Sequence, residues 1–345
     1  MLIWACLLLL SYASMAVNPA KGWFMTVFGL LFVPIALVNV IYLFWAIKRM
    51  SSAFLIPLLA LLPSLIFIGR YVQFSSGAED PTPDTVQLVS YNVGRYILGK
   101  GQAFKGDEGE KACMDSVANF IRKSDAQIIC LQEVSLAGEY DVANALKNQF
   151  PEFDISYFMF VDERGSYGNV TLSRFPIVDK GKIEFEHSSN LAIYSDIKIG
   201  KSTVRVYNCH FQSYSISFTS AIKSIGKDST LVRVEEKMKK SIRIRPQQVD
   251  KVMSDIEDCP RQAIVTGDFN DNPMSYTYSR LTRGKQDVFV EAGKGFGATY
   301  SVLWPFIRID YVLIPDSYEA VSYKVPRLKY SDHYPVVTRF NVKDE

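Results

Sequence analysis

Hydrophobic positions follow two regimes along the chain, and the change lies near residue 75. Before it, residues 2–17, 23–47 and 53–69 form three apolar runs that contain no charged side chain. A helix needs roughly 20 residues to cross about 30 Å of hydrocarbon, so the second run is long enough and the other two stand near the lower limit. Trp23, Tyr42 and Trp45 lie toward the ends of the second run, where amphipathic rings favour the membrane interface. Pro34, Pro57 and Pro63 would kink a span without preventing it. Two plainer readings compete: a cleaved signal peptide for the first run and a buried helix for the third. The first run lacks a basic leading region and a long apolar run follows it at once, which argues against a signal peptide. The pattern predicts a transmembrane region over residues 1–70 with about three helices (2–17, 23–47 and 53–69), a linker over 71–84 and a second domain over 85–345.

The linker is marked by "SSGAEDPTPD", a polar Pro/Gly/Ser stretch. Beyond it the period changes. Short β-branched runs at 86–91, 126–131, 154–160, 169–173, 191–199, 203–209, 262–266, 307–314 and 335–340 predict strands. Helical patterns fall at 110–123, around 217–238, at 246–256 and near 275–281. Many strands with interspersed helices imply an α/β sandwich, two sheets with helices on their outer faces.

Composition narrows the picture further. A net charge of +2 excludes a generally polycationic molecule. The five cysteines, Cys6, Cys113, Cys130, Cys209 and Cys259, form no C-x-x-C pair, so neither structural zinc nor a disulfide framework is expected, and Cys130 and Cys209 read as buried thiols. Lys48 and Arg49 in the second connection outweigh Lys21 in the first, which puts that connection in the cytoplasm and the second domain on the extracytoplasmic side of the cell (inner) membrane. "GKGQAFKGDEGEK" (99–111) is glycine-rich but lacks the order of a phosphate loop and reads as a flexible loop. Residues 223–245 hold eight Lys or Arg against three acids on a helical pattern. That is a solvated helix face, or a surface for phosphate groups or anionic lipid.

Polar residues collect where the predicted strands end. Asn92 follows one in "LVSYNVGRY", Gln132 and Glu133 another in "IICLQEVS", His210 a third in "VRVYNCHFQS", and Asp268 and Asn270 a fourth in "AIVTGDFNDNP". Asp310 interrupts "FIRIDYVLIP", and Asp332 and His333 precede the last strand in "YSDHYPV". Taken singly, each is a turn residue or a helix-start acid. Together, buried and unpaired, they would cost several kcal/mol. A divalent cation at one edge of the sheets would give them a common partner, and carboxylate and amide oxygens are hard ligands suited to magnesium or manganese.

The blocks "SYN", "LQE", "GDFN", "IDYVLI" and "SDH", in this order, resemble the endonuclease/exonuclease/phosphatase (DNase I-like) superfamily over about residues 86–342. With the apolar runs, "GFGATY" and "RIDYVLIP", the chain looks like a membrane-anchored bacterial branch of it. The resemblance implies a four-layer αββα sandwich and a metal-dependent hydrolase of phosphoric esters. It implies Glu133 as the principal ligand of Mg2+ or Mn2+, with Asn92 and Asp332 near the ion or its waters. Asp268 would orient or deprotonate the attacking water, Asn270 would hold that water or a phosphate oxygen, and His333 would stabilise transition-state charge. Asp310 would orient His333, and His210 would bind the phosphate or protonate the leaving oxygen. Arg95 and Gln212 are the candidates for contacts to the rest of the substrate.

Two departures matter. Gly94 stands where some nucleases carry an extra acid ligand, which weighs against a tightly held second metal. "FQS" after His210 lacks the asparagine of apurinic endonucleases, which weighs against repair of abasic DNA. The expected activity is nuclease-like hydrolysis of a phosphodiester by in-line attack of water. The alternatives are a lipid-head-group or phosphomonoester phosphatase of phospholipase C type, and a non-catalytic phosphate- or membrane-binding module. Expected partners are a phosphate-ester substrate (nucleic acid, phospholipid or inositol phosphate) and membrane lipid, with no obligate protein partner. Transport is disfavoured, because the apolar runs hold no charged side chain.

Overall fold

Alternation decides the architecture of the sandwich. In the strand Thr85–Asn92 (β1), Val89 and Tyr91 join one apolar cluster, while Val86 and Leu88 join another. Ile128–Leu136 (β2) divides the same way, with Ile129 and Leu131 on one side and Ile128 and Cys130 on the other. Strands apolar on both faces must be covered on both. One cover is the helix Gly106–Ser124, whose Cys113, Val117, Ala118 and Ile121 pack into the first cluster. The other is a second sheet, whose Ile197, Val204, Val206, Ile264 and Val312 complete the second cluster.

The computed structural model describes the chain except residues 75–81, 83–84, 97–105, 137–140, 163–164, 187, 215–227, 303 and 344–345. The described strands include Asp154–Asp162 (β3), Gly165–Ser173 (β4), Ile177–Glu184 (β5), Leu191–Ile199 (β6), Ser202–His210 (β7) and Ala263–Asp268 (β8). Lys285–Asp287 (β9), Asp310–Pro315 (β10), Glu319–Lys324 (β11) and Val336–Asn341 (β12) follow. One six-stranded sheet runs β11-β12-β1-β2-β4-β3 and the other β9-β10-β8-β7-β6-β5. Each has one parallel pair near its centre, β1 with β2 and β7 with β8, and antiparallel neighbours elsewhere.

Within these two sheets, the strands absent from the sequence reading, β5, β9 and β11, are all sheet edges. Edge strands carry charge that discourages further pairing, so "IVDKGKIE" shows no apolar alternation. The loop expected at 99–111 is helical from Gly106 onward, and 97–105 lies outside the described residues. The two helices expected at 217–238 and 246–256 form one, Asp228–Asp258, which continues through Pro246. Most of the expected linker lies outside the described residues.

The chain divides into two compact units. One holds Met1–Val72, Gln212–Asp250 and Asp271–Arg283, and the other holds Gln73–Phe211, Lys251–Asn270 and Gly284–Glu345. Within the first, Ala5, Leu8, Phe32, Ile35, Ala60 and Met274 share a core. Three full spans are not found. Among the described residues, only Ser52–Arg70, 19 residues with mean hydropathy 2.2, is by itself long and apolar enough to cross a membrane. Trp23–Leu30 and Phe32–Lys48 meet at 57° and would together make a second, while Leu2–Ala13 has 12 residues, about 18 Å of helix. Arg245, in the basic stretch, is not a surface cation. It is fully buried, with Asp271 at 3.0 Å and Tyr214 at 2.9 Å. Lys239 pairs with Glu235 at 2.6 Å. Lys223 and Lys227 lie outside the described residues.

Candidate functional site

Register brings the strand ends to one edge of the second unit. His210 and Asp268 are direct partners in the parallel pair β7/β8, and Asp268 is opposite Asp310 in the antiparallel pair β8/β10. Antiparallel geometry explains why Asp310 opens its strand while Asp268 closes one. In the other sheet Asn92 ends β1, opposite Gln132. Glu133 lies inside β2, not after it, at a register shift between Leu131 and Val134 where the pairing with β4 bulges. A bulge re-aims a side chain that strict alternation would direct elsewhere.

The backbone is strained at the same place. Five described non-glycine residues have positive φ, and three of them, Arg95 (56°), Glu133 (54°) and Asn270 (52°), belong to this region. Left-handed conformations cost such residues about 1–3 kcal/mol each and persist where the surrounding structure over-determines them. Gly267 is required by contact: at φ 125°, a Cβ there would meet the Cys209 carbonyl oxygen at 2.0 Å.

Asn92 stands between the acids. Its Nδ2 donates to Asp268 Oδ2 at 2.9 Å and to Glu133 Oε1 at 3.3 Å, and its Oδ1 accepts from the Gly94 amide at 2.9 Å. Asn270 holds Asp268 from the other side, through its backbone N–H at 2.8 Å and its Nδ2 at 3.0 Å. His210 Nε2 lies 3.5 Å from Glu133 Oε1 and 3.9 Å from Asp268 Oδ2. His333 Nδ1 is 2.9 Å from Asp310 Oδ2, and its Nε2 is 3.7 Å from Asp268 Oδ2. Thr299 Oγ1 accepts from the Asp310 amide at 3.1 Å and fixes that end of the pair.

Burial gives these contacts their strength. Asp268 and Asp310 are fully buried, and burial, followed by the neighbouring Asp310 charge, pushes the Asp268 carboxyl up to about 6 against the pull of His333, His210 and Asn92. Burial works against the Glu133 charge too, but His210, the Asn92 amide, His333 and Arg95 outweigh it and leave that carboxyl below its ordinary value. Burial would lower His333, yet Asp310 and Asp268 raise it well above the ordinary imidazole range.

These donor atoms fit a hard divalent cation. Ligand atoms of Asp268, Asp310 and His333 lie within 4.8 Å of one another. The hydrogen bond between Asp310 and His333 already occupies that pair, whereas Glu133 keeps 27% of its side chain exposed beside Asn92. Ion access therefore favours the Glu133 side.

Seven expected residues, Asn92, Glu133, His210, Asp268, Asn270, Asp310 and His333, thus converge. Asp332 sits beside the Ser331 hydroxyl at 3.4 Å and bonds Tyr300, and it makes no described contact with Glu133. Arg95 reaches Glu133 Oε2 at 3.8 Å and stacks 4.2 Å over Tyr167. Gln212 belongs to the first unit, where its side-chain amide donates to the Ser213 carbonyl at 3.3 Å and its backbone amide to Gln248 at 2.8 Å. Tyr167 and Tyr300 were missed. The Tyr300 ring lies 5.2 Å from that of His333, and burial, followed by Asp332, pushes its phenol up to about 12. Its only signal was its place in "GFGATY", next to Thr299. Cys130 and Cys209 are fully buried as expected, and burial raises both thiols.

The Endonuclease/Exonuclease/phosphatase family matches residues 89–333, and a domain of unknown function matches residues 1–71. Among solved structures, the chain is similar to an endonuclease/exonuclease/phosphatase from Bacteroides vulgatus at 18% identity and TM-score 0.55, over 75% of this chain and 99% of that one. It is also similar to a mannosyl-6-phosphatase from Bacteroides thetaiotaomicron VPI-5482 at 17% and 0.53, over 74% and 99%. A humanized D. rerio TDP2 with 14 mutations matches at 14% and 0.53, over 75% and 100%. At these identities the likeness shows the fold. No curated protein matches the chain.

Proposed function

The chain belongs to the endonuclease/exonuclease/phosphatase family, and from that premise we propose that it is a divalent-metal-dependent phosphoesterase that hydrolyses a phosphodiester by in-line attack of water. One observation carries this reading: two imidazole Nε2 atoms, of His210 and His333, lie 3.9 and 3.7 Å from the same buried Asp268 oxygen that Asn92 and Asn270 hold. Asp268, raised to about 6, is suited to take a proton from the attacking water near neutral pH. Asn270 fixes its carboxylate plane. His333, kept charged and oriented by Asp310, would face the negative charge that grows on the phosphoryl oxygens, and His210 would donate a proton to the leaving oxygen. Magnesium or manganese, held by Glu133 with Asn92 close to its waters, would supply positive charge for the phosphate oxygens.

The helical region supports a membrane tether. Ser52–Arg70 has 11% of its apolar window buried and so offers its side chains to lipid. With Lys48 and Arg49 before it on the cytoplasmic side, the family domain would lie outside the cell membrane, consistent with a membrane-anchored bacterial branch. The same exposed helix favours a second reading, a phosphorylated lipid head group as substrate.

The test uses the full-length protein with magnesium or manganese, and with chelator as control. Plasmid DNA, single-stranded RNA, a generic phosphodiester, inositol phosphates and phospholipid vesicles form the panel. Chelator-sensitive cleavage lost in Glu133→Ala is expected, and the preferred substrate selects between the readings. Folded protein that cleaves nothing on the panel would sink the phosphodiesterase reading and favour a binding module.

A further inference from the structure

We propose that an aromatic and cationic surface beside the His333 loop docks onto an anionic lipid surface. Phe296, Val302, Trp304 and Phe306 expose 51%, 42%, 39% and 53% of their areas, although side chains of this kind are normally buried. Phe296 and Trp304, with Val325, wall a cavity of about 550 Å3, and Lys294, Lys324 and Arg327 rim it. Among the described residues, no acid lines that cavity. Rings and an aliphatic side chain projecting next to cations suit the boundary between acyl chains and charged head groups. Each cation near such a surface contributes about 1 kcal/mol.

A single-stranded nucleic acid is the other polyanion that aromatic and cationic surfaces take. Base stacking needs free ring faces. One face of Trp304 is already covered by the Arg327 guanidinium at 3.8 Å, and Phe296 meets the Trp304 ring edge-on, with centroids 6.4 Å apart. Val302 offers no ring at all. The surface therefore favours lipid.

Its position gives docking a consequence. Ser301 donates its amide to the Asp332 carbonyl at 2.8 Å, Tyr334 donates to the Thr299 carbonyl at 2.7 Å, and Tyr300 pairs with His333 as an isolated bridge. The segment that would meet lipid is thus bonded directly to the segment bearing His333.

The experiment reads Trp304 in the full-length protein, reconstituted in bilayer discs of phosphatidylcholine with or without phosphatidylglycerol. A chelator is present throughout, so the result is independent of any phosphoesterase activity. Acyl-brominated lipid quenches buried indoles, and subtracting the signal of Trp304→Phe removes the contribution of Trp4, Trp23 and Trp45. Quenching of Trp304 that requires phosphatidylglycerol, and that weakens about fivefold for each of Lys324→Gln and Arg327→Gln, is expected. Equal quenching with and without the anionic lipid, or none in either, would overturn the proposal. So would a Trp304 response to inorganic phosphate or to a single-stranded oligonucleotide in place of lipid.

Discussion

The strand Ser202–His210 serves two polar clusters built on opposite principles. Near its start, Arg205 grips both oxygens of the fully buried Asp196 at 2.6 and 2.9 Å. Arg261 adds a contact to Asp196 at 3.0 Å, Asp255 takes another Arg205 nitrogen at 3.4 Å, and Tyr194 lies 3.9 Å under the guanidinium. Every charge there meets its opposite inside the protein. At the end of the strand, His210 faces Glu133 and Asp268, with Asp310 and His333 behind them. Here burial, followed by the neighbouring Asp310 charge, pushes the Asp268 carboxyl toward its protonated form. A buried carboxylate gripped by a fork of guanidinium donors holds structure together, whereas one held near its protonated form among imidazoles is arranged for chemistry.

The comparison breaks most visibly if Asp268→Asn fails to separate rate from stability. The rate on the preferred substrate should fall by about a thousandfold, the scale of a lost proton acceptor. Thermal unfolding in chelator at pH 7 should move up by a few degrees. The folded Asp268 carboxyl holds its proton more tightly than the unfolded one, so its ionisation costs stability as pH rises through about 6, and asparagine removes that cost.

Arg205→Met should do the reverse. It strands Asp196 without a fork of donors, at a cost of about 3–5 kcal/mol in denaturant unfolding. Turnover per folded molecule should be unchanged, and a comparable loss of turnover would show that the two clusters are not independent.

A smaller effect is expected of Asp310→Asn: about a 10- to 100-fold loss in kcat with KM retained. Asp310 is the main group raising His333, so the alkaline limb of the rate profile should move to lower pH. Loss of kcat without that movement would mean the substitution acts only through packing.

The smallest effect is on metal affinity. A cation favours ionised Asp268, so magnesium binding measured by calorimetry should be full above about pH 6 and weaken by up to about tenfold per unit below it. Affinity that is flat from pH 5 to 7.5 would show that Asp268 does not sense the ion.

Much of the sandwich could be read from the chain, because its central strands are apolar on both faces and end in polar residues. The β6 strand, Leu191–Ile199, was predicted with its observed bounds. Edge strands such as Ile177–Glu184 were not, since solvent and charge erase their periodicity. The site was legible as residue types at strand ends and as motif wording. Tyr300 and Tyr167 were not, because an aromatic ring carries no local mark of which imidazole or guanidinium it will meet.

By itself, the sequence determined where the central strands run, which polar groups would fall at one edge of the sheets, and where the chain turns from apolar helix to sandwich. These follow from local period and hydrophobicity, which every residue carries with it. Only the tertiary structure decided the rest. It set the bulge that aims Glu133, the register that places Asp268 opposite both His210 and Asp310, and the bend that breaks the second apolar run. It also drew the supposedly exposed Arg245 into a buried pair with Asp271. Each depends on what lies across space, and a neighbour distant in sequence leaves no trace in the local pattern.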